Sequence, residues 1–177
     1  CSLVGSEMCI RDRLTTYRNL AEQTIDKLAR RQRLRLPECR TRDTDLPGAW
    51  GIDRARDALV ALDLLTDAGV ERLLHIYGGR AAAIAELCKT DAALGRTLDD
   101  RGRVLAAEVV FVIRDEFAQT LADVVFRRMM IGFDADQGRG MYEDIAALAA
   151  AESGWSPDHT TQQLADLTAY AGSLLTG

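Results

Sequence analysis

Residues 107–133 read AEVVFVIRDEFAQTLADVVFRRMMIGF and form the longest densely apolar segment of the chain. A segment this apolar is expected to be mostly buried, and buried charges are tolerated only when they are paired and hydrogen-bonded. We therefore expect a pair of core helices joined by ion pairs, with Glu108 and Arg114 as a candidate buried pair. The charged residues of the segment are Glu108, Arg114, Asp115, Glu116, Asp123, Arg127 and Arg128.

The first part of this region, Val104–Ile113, is ambiguous between helix and strand. Its VVFVI run has the β-branched and aromatic composition of a buried strand. Helix is favoured because Leu105–Glu108 lead into the run and no second strand is available to pair with it; a lone strand leaves its backbone groups unsatisfied. The second part predicts another helix, whose inner face carries Phe117, Leu121, Val124 and Arg128.

Helical periodicity continues on both sides of this region. Thr66 or Asp67 can cap one helix, and Ser156-Pro157-Asp158 has the composition of another helix start. The sequence predicts an all-α fold, a bundle of about six or seven helices preceded by one further helix. The predicted helices are Leu14–Arg31, Ile52–Leu65, Ala68–Ile76, Arg80–Cys88, Val104–Ile113, Phe117–Arg128, Met141–Glu152 and Ser156–Leu174.

The charge of the chain is unevenly distributed. Residues 1–47 hold 10 basic and 7 acidic side chains, whereas the remaining residues hold 12 and 20, a net charge of −8. An acidic main body argues against nucleic acid as a partner. Six arginines between Arg30 and Arg42 suggest either an anion-binding patch or a solvated helix end with a linker. The linker interpretation is favoured because no aromatic residues interleave with the arginines.

The sequence shows no convergent catalytic or metal-binding set. The four cysteines have no paired spacing and there are only two histidines, which argues against zinc and predicts a reducing, cytoplasmic compartment. His75 could act as a general base, but a packed or half-exposed structural histidine is the favoured interpretation. Cys88 is expected to be a small core residue. The aspartates of residues 131–140 lack the ligand spacing of a calcium loop.

The first 13 residues, CSLVGSEMCIRDR, do not resemble the start of a natural protein. They begin with cysteine, and they lack the apolar core and cleavage site of a secretory signal. They are similar to translated sequencing-adapter scars at the ends of assembled gene fragments. We therefore expect residues 1–13 to be foreign, and the N-terminal part of the protein to be missing.

Several segments together resemble the C-terminal end of the FAD-dependent glycerol-3-phosphate dehydrogenases, which are respiratory flavoenzymes. LTTYRNLAE at residues 14–22 resembles the family's GGK-L-TTYR-x-LAE segment, and LLHIYGGRA at residues 73–81 resembles a helix carrying YGSRA. Residues 107–133 resemble the family block AEVVYAVREE...TLEDVLxRRTRLGF. TRDTDLPGA at residues 41–49 and Gly154-Trp155 also resemble family features. These matching stretches occur in the same order as in the family and together span nearly all of residues 14–175.

This resemblance implies a domain layout. Residues 14–36 would be the last helix of a truncated FAD-binding domain, residues 37–49 a linker, and residues 50–177 the helical C-terminal cap domain. In that family the N-terminus of the first of these helices approaches the flavin, which makes Leu14, Thr15 and Thr16 the candidate FAD-binding residues. Backbone N–H groups at a helix N-terminus favour negative charge. The family's Gly-Gly-Lys is absent, because this chain has Arg11-Asp12-Arg13 at that place.

The resemblance also implies a function for the intact parent protein. It would oxidise sn-glycerol 3-phosphate to dihydroxyacetone phosphate, with electrons passing through FAD to a quinone. The fragment is expected to be structural and inactive by itself, because it has no glycine-rich βαβ unit for the dinucleotide. Its expected partner is the FAD-binding domain of the same chain; peripheral association with the cytoplasmic membrane and a homodimer stay open. The alternative is a freestanding helical protein-interaction module with no catalytic activity.

Overall fold

The computed structural model describes residues 17–175, and within them the secondary structure is helical. The only β-type pairing in these residues is an isolated antiparallel bridge between Thr97 and Leu105. The all-α prediction is therefore confirmed. The seven α-helices of the described residues are α1 Tyr17–Gln32, α2 Ile52–Val60, α3 Asp67–Tyr77, α4 Ala81–Thr90, α5 Ala106–Asp115, α6 Tyr142–Ser153 and α7 Pro157–Ser173.

The chain divides into two compact units, residues 1–46 and residues 47–177. In the first unit, α1 is amphipathic, and Ala29 is its one buried residue. Its large apolar side chains are exposed, among them Tyr17, Leu20, Ile25 and Leu28. The predicted domain boundaries at residues 36 and 50 stay predictions.

The second unit is organised around α5. Residues 106–112 of this helix are all buried, because its whole circumference is apolar apart from Glu108. A helix that is hydrophobic on all sides is stable only inside a core, and α5 packs against both α4 and α6, while α2 packs on α4. The VVFVI run is thus a helix, as its flanking residues indicated.

The region after α5 differs from the predicted second helix. Phe117 has a left-handed backbone with φ of 55° and is 77% exposed, so it does not lie on an inner helix face. The carboxylate of Asp123 accepts hydrogen bonds from the backbone N–H groups of Gln119 and Thr120. The Thr120 hydroxyl in turn accepts a hydrogen bond of 3.1 Å from the Asp123 N–H, so Thr120 is the N-cap and Asp123 completes a capping box. A π-helix then runs over Asp123–Arg128. Leu121 and Val124 are buried, as predicted.

Two predicted helix starts are confirmed. Thr66 accepts a hydrogen bond from the Gly69 N–H at the start of α3. Ser156 accepts one from the His159 N–H at the start of α7, with Pro157 in the first turn. No helix among residues 17–175 is both long enough and apolar enough to cross a membrane.

Glycines allow the segment that enters the second unit to lie directly on the junction of α3 and α4. The Gly79 N–H donates a hydrogen bond of 2.8 Å to the Gly48 carbonyl. A Cβ on Gly79 would lie 1.6 Å from the Trp50 carbonyl oxygen, so no side chain can be accommodated there. The glycines of the YGG sequence therefore both end α3 and admit a neighbouring backbone.

Candidate functional site

A buried ion pair connects α3 and α5 in the second unit. The Arg72 guanidinium donates two hydrogen bonds of 2.9 Å, one to each carboxylate oxygen of Glu108. The Tyr77 hydroxyl donates a third bond of 2.8 Å to Glu108 Oε1. The Glu108 side chain is 0% exposed. A bidentate arginine with a further donor is the arrangement that makes a buried carboxylate tolerable.

The same arginine also holds the backbone of two loops. Arg72 donates to the carbonyl of Arg103, before α5, and to the carbonyl of Met129, after the π-helix. Burial lowers the pKa of Arg72, but the charge and hydrogen bonds of Glu108 outweigh this effect and raise it, so the guanidinium stays charged. Burial and the Glu108 charge raise the pKa of Tyr77 well above its ordinary value, so its hydroxyl remains a donor.

The predicted pairing of Glu108 with Arg114 is wrong. The two side chains are six positions apart on α5, a spacing that does not make them neighbours on one helix face. Arg114 donates two hydrogen bonds, of 2.6 and 2.7 Å, to Glu152 of α6, and its side chain is 52% exposed. Glu108 alone of the charged residues in the segment is fully buried.

The other charges of the segment lie nearer the surface. Asp123 pairs with Arg127 at 2.6 Å, and Glu116 pairs with Arg80 at 2.7 Å. Arg128 donates to the carbonyls of Glu116 and Arg127 but has no carboxylate of the described residues within 4.0 Å. The segment is therefore tied to the rest of the unit by ion pairs with α3, α6 and the α3–α4 junction.

An open groove of about 1060 Å³ lies beside the buried ion pair. It is bounded by α2, α3, the end of the π-helix and the segment that follows. Arginine side chains and apolar side chains line it together. Its lining includes Ile52, Arg56, Arg72, Arg103, Arg128 and Met130.

Neither the groove nor the buried ion pair brings together a nucleophile and a base. His75 was expected to be packed or half-exposed; it is exposed on the groove, with no hydroxyl or thiol beside it in the lining. Cys88 is buried, which confirms it as a core residue, and burial raises the pKa of its thiol to about 11. Residues 17–175 contain no group of three or more histidine, cysteine or acidic side chains placed to hold a metal ion.

Comparison with known proteins identifies the family. Residues 39–160 match the family described as the C-terminal domain of alpha-glycerophosphate oxidase. The chain belongs to this family. The match takes in the second unit from its first residue through the start of α7, so the groove and the buried ion pair are features of an alpha-glycerophosphate oxidase C-terminal domain.

Curated relatives of this C-terminal domain are glycerol-3-phosphate dehydrogenases. The protein of that name from Synechocystis sp. is 29% identical over 168 residues, which cover 92% of this chain and 29% of the relative. The probable mitochondrial glycerol-3-phosphate dehydrogenase of Caenorhabditis elegans is 31% identical over 163 residues, which cover 85% of this chain and 22% of the relative. The Arabidopsis thaliana mitochondrial enzyme SDP6 is 26% identical. The chain thus spans about a quarter of its relatives' length. No solved structure matches it.

The predicted FAD-binding residues Leu14, Thr15 and Thr16 lie outside the described residues, so their assignment stays a prediction. Residues 17–175 hold no parallel strand followed by a glycine-rich turn, the arrangement that binds a dinucleotide pyrophosphate. The residues of the chain that the structure describes therefore contain no such cradle for the pyrophosphate of FAD.

Sequence reasoning missed Arg72 and Tyr77, which are the hydrogen-bonding partners of Glu108. Both lie on α3, 36 and 31 residues before Glu108. One signal was present: Arg72 directly precedes the buried Leu73 and Leu74 in α3. A long arginine next to these leucines is a natural counter-ion for a carboxylate in the alpha-glycerophosphate oxidase C-terminal domain.

Proposed function

We propose that this chain is the C-terminal part of an FAD-dependent glycerol-3-phosphate dehydrogenase. The intact enzyme would oxidise sn-glycerol 3-phosphate to dihydroxyacetone phosphate and pass the two electrons through FAD to a quinone. The observation that carries the proposal is the match of residues 39–160 to the C-terminal domain of alpha-glycerophosphate oxidase. The matched regions cover 29% and 22% of two glycerol-3-phosphate dehydrogenases among its relatives, so these proteins are roughly three to five times longer than the match.

The exposed apolar face of α1 supports this proposal. This face carries three large apolar side chains at helical spacing, Leu20, Ile25 and Leu28. Between 41% and 51% of the surface of each residue is exposed. A helix stripe of this kind is normally covered by another element, because its stability comes from packing an amphipathic face. In our proposal the rest of the FAD-binding domain covers α1, and α1 is the last helix of that domain.

The second unit supplies structure rather than chemistry in this scheme. Its buried Glu108 carboxylate is held by Arg72 and Tyr77 and is shielded from solvent, so it does not reach a substrate. The lining of its groove holds no nucleophile beside a base. The reactive groups, the dinucleotide site and the electron acceptor site would belong to the N-terminal part of the enzyme.

A chimera tests the proposal. Residues 37–177 of this chain replace the aligned C-terminal part of the Synechocystis relative, and reduction of a quinone analogue is measured with sn-glycerol 3-phosphate. The relative truncated at the same junction is the control. We expect activity and bound flavin in the chimera and loss of activity in the truncated relative.

A second measurement addresses the chain alone. The 177-residue protein is titrated with FAD and assayed with sn-glycerol 3-phosphate, and we expect neither stoichiometric binding nor turnover. A chimera that binds flavin but stays inactive would contradict the enzymatic role. Tight flavin binding by the chain alone would contradict the assignment of the flavin site to the N-terminal part of the enzyme. A chain that folds stably but does not restore activity in the chimera would favour a freestanding interaction module.

A further inference from the structure

The groove beside the buried ion pair holds one guanidinium group that has no acidic partner among residues 17–175. Five arginines line the groove, and all but Arg128 form an ion pair with a carboxylate. The carboxylates are those of Glu71, Glu108, Asp134 and Asp123. Arg128 has none within 4.0 Å in the part of the chain that the structure describes. Its charge is therefore available to a bound anion.

Two backbone carbonyls hold the Arg128 guanidinium in a fixed orientation. Its Nε atom donates a hydrogen bond of 2.9 Å to the Glu116 carbonyl, and its Nη1 atom donates one of 3.3 Å to the Arg127 carbonyl. No hydrogen bond to a described residue engages Nη2, so this edge of the guanidinium can still donate. Arg128 is also half-buried, and hydrogen bonds are stronger where water is partly excluded. A carboxylate or phosphate oxygen is the acceptor that matches such a donor.

Large apolar side chains lie in the same groove as this donor. Ile52 and Met130 both line it, and they are 41% and 46% exposed. Binding sites for small molecules are mostly apolar, with a few polar groups that fix the orientation of the ligand, and they typically enclose about 300–1,000 Å³. The groove has this character, and its volume of about 1060 Å³ is sufficient for such a ligand.

The backbone next to Arg128 is irregular on both sides of this residue. A π-helix over Asp123–Arg128 ends at it, and Met130 has a left-handed backbone with φ of 59°. π-Helices are rare and occur frequently at functional sites. A left-handed conformation is unfavourable for a residue that carries a side chain. These two features bring a cation and an exposed apolar side chain to the same groove.

The remaining charges of the groove favour a ligand with a single anionic group. Glu71, Glu116 and Asp134 also line it, and these carboxylates repel a ligand that carries many negative charges. The second unit as a whole has a net charge of −8, which repels nucleic acid and an anionic membrane surface in the same way. One small anionic group can instead be placed on Arg128 alone.

We propose that the groove between α2, α3 and the π-helix binds a small amphipathic anion, with its carboxylate or phosphate group on Arg128 and its apolar part against Ile52 and Met130. The lining has no nucleophile beside a base, so the ligand is bound and released unchanged. The site belongs to the second unit itself and is additional to the enzymatic role proposed for the parent protein.

Calorimetric titration of the 177-residue chain with octanoate and with octyl phosphate tests this proposal. 1-Octanol, which has the same alkyl chain without the charge, is the matched ligand control. We expect one molecule of at least one anion to bind per chain, and octanol to bind at least about tenfold more weakly, because it makes no charge-assisted hydrogen bond. The tighter of the two anions identifies the head group. Equal affinities for octanol and both anions, or no saturable binding of either anion, would overturn the proposal.

Two variants examine the two halves of the site separately. Arg128→Met removes the donor and its charge while keeping an unbranched side chain, and we expect at least about tenfold weaker binding of the anion. Met130→Asn removes the apolar contact with a residue that suits the left-handed backbone, and we expect binding about three- to tenfold weaker. Circular dichroism verifies that both variants are folded. Unchanged affinity in a folded Met130→Asn protein would exclude the apolar half of the site, even if Arg128→Met fails to fold.

Two further variants are controls for binding elsewhere on the chain. Arg54→Met removes an exposed arginine of α2 that does not line the groove. Lys27→Met removes a cation from α1, which also presents a basic and apolar face. Both variants are expected to bind the anion as tightly as the unmodified chain. Binding that is lost in Lys27→Met and kept in Arg128→Met would move the site to α1 and overturn the proposal.

Sedimentation distinguishes the remaining occupants of the groove. The 177-residue chain is expected to keep its sedimentation coefficient when the anion is added, and to remain in solution beside phosphatidylglycerol vesicles. Association of two chains that is lost in Arg128→Met would assign the groove to a second copy. Association with the vesicles that is lost in the same variant would assign it to a membrane surface. Either result would overturn the proposal of a small-molecule site.

Discussion

The carboxylate of Glu108 lies against the guanidinium of Arg72 in two parallel hydrogen bonds of 2.9 Å, in a part of the core from which solvent is excluded. The contact joins α3 to α5, and through the carbonyls of Arg103 and Met129 it also fixes the loops at both ends of the apolar segment. It therefore holds the wall of the groove in a defined position.

Removal of the buried carboxylate should strongly destabilise the second unit. Glu108→Ala leaves Arg72 as an uncompensated, largely buried charge, and we expect a loss of about 3–5 kcal/mol in the free energy of unfolding. Arg114→Ala is the control, because its ion pair with Glu152 is half exposed and should contribute no more than about 1 kcal/mol. Urea unfolding followed by circular dichroism measures both. Equal effects of the two variants would show that burial of Glu108 is unimportant.

Tyr77→Phe removes one donor to the same carboxylate without opening a cavity. A hydrogen bond to a charged group contributes about 1.5–3 kcal/mol, so the loss should be smaller than that of Glu108→Ala. In the Glu108→Ala background the same substitution should have almost no effect, since the acceptor is gone. A double-mutant cycle by urea unfolding measures this coupling, and additive losses would contradict the network.

The local parts of this fold could be predicted from the sequence. The lead-in at Leu105–Glu108 was enough to identify α5 as a helix, and Ser156-Pro157-Asp158 gave the start of α7, because both signals lie within a few residues of their effect. The partner of Glu108 could not be predicted, because the pairing depends on how α3 packs against α5. The left-handed backbone of Phe117 was missed for a related reason: Thr120 and Asp123 form a capping box, so the next helix begins after Thr120 and later than its apolar spacing suggested.

The close contact between Gly79 and the backbone of the entering segment should not tolerate a methyl group. In Gly79→Ala the new Cβ would lie 1.6 Å from the Trp50 carbonyl oxygen, so one of the two backbones must move. We expect a lower thermal midpoint. Gly172→Ala in α7 is the control; its Cβ meets nothing within 4 Å, and the helix preference of alanine should add about 0.5–1 kcal/mol. A raised midpoint in both variants would exclude the close approach.

Acid should weaken the second unit in part through Asp99. Burial raises the pKa of this carboxyl, but hydrogen bonds from the N–H groups of Arg103 and Val104 outweigh burial and hold it below its usual value. A lowered pKa in the folded state stabilises the protein above about pH 4, and the stabilisation is lost as the pH falls through the folded value.

Asp99→Asn should therefore reduce the difference between the urea midpoints at pH 6 and pH 3. Asp63→Asn, which removes an exposed carboxylate in a left-handed residue, is the control and should keep the full difference. An Asp99→Asn protein as sensitive to acid as the unmodified chain would mean that this carboxyl is not linked to folding.

The Cys88 thiol should be inert in the folded protein. It is buried, and burial raises its pKa to about 11, so only about one thiol in a thousand is ionised at pH 8. In a variant with serine at Cys1 and Cys9, a thiol reagent at pH 8 should label the half-exposed Cys39 promptly and Cys88 only after denaturation. Equal labelling of both cysteines in the native protein would contradict the burial of Cys88.

The identity of the parent protein is tested most directly by the DNA that lies upstream of the codon for Leu14 in the source genome. We predict an open reading frame in phase with this chain, encoding a glycine-rich dinucleotide-binding βαβ unit and ending in Gly-Gly-Lys immediately before Leu14. An in-phase stop codon followed by a start codon and the genuine codons for residues 1–13 would contradict the assignment to a flavoenzyme.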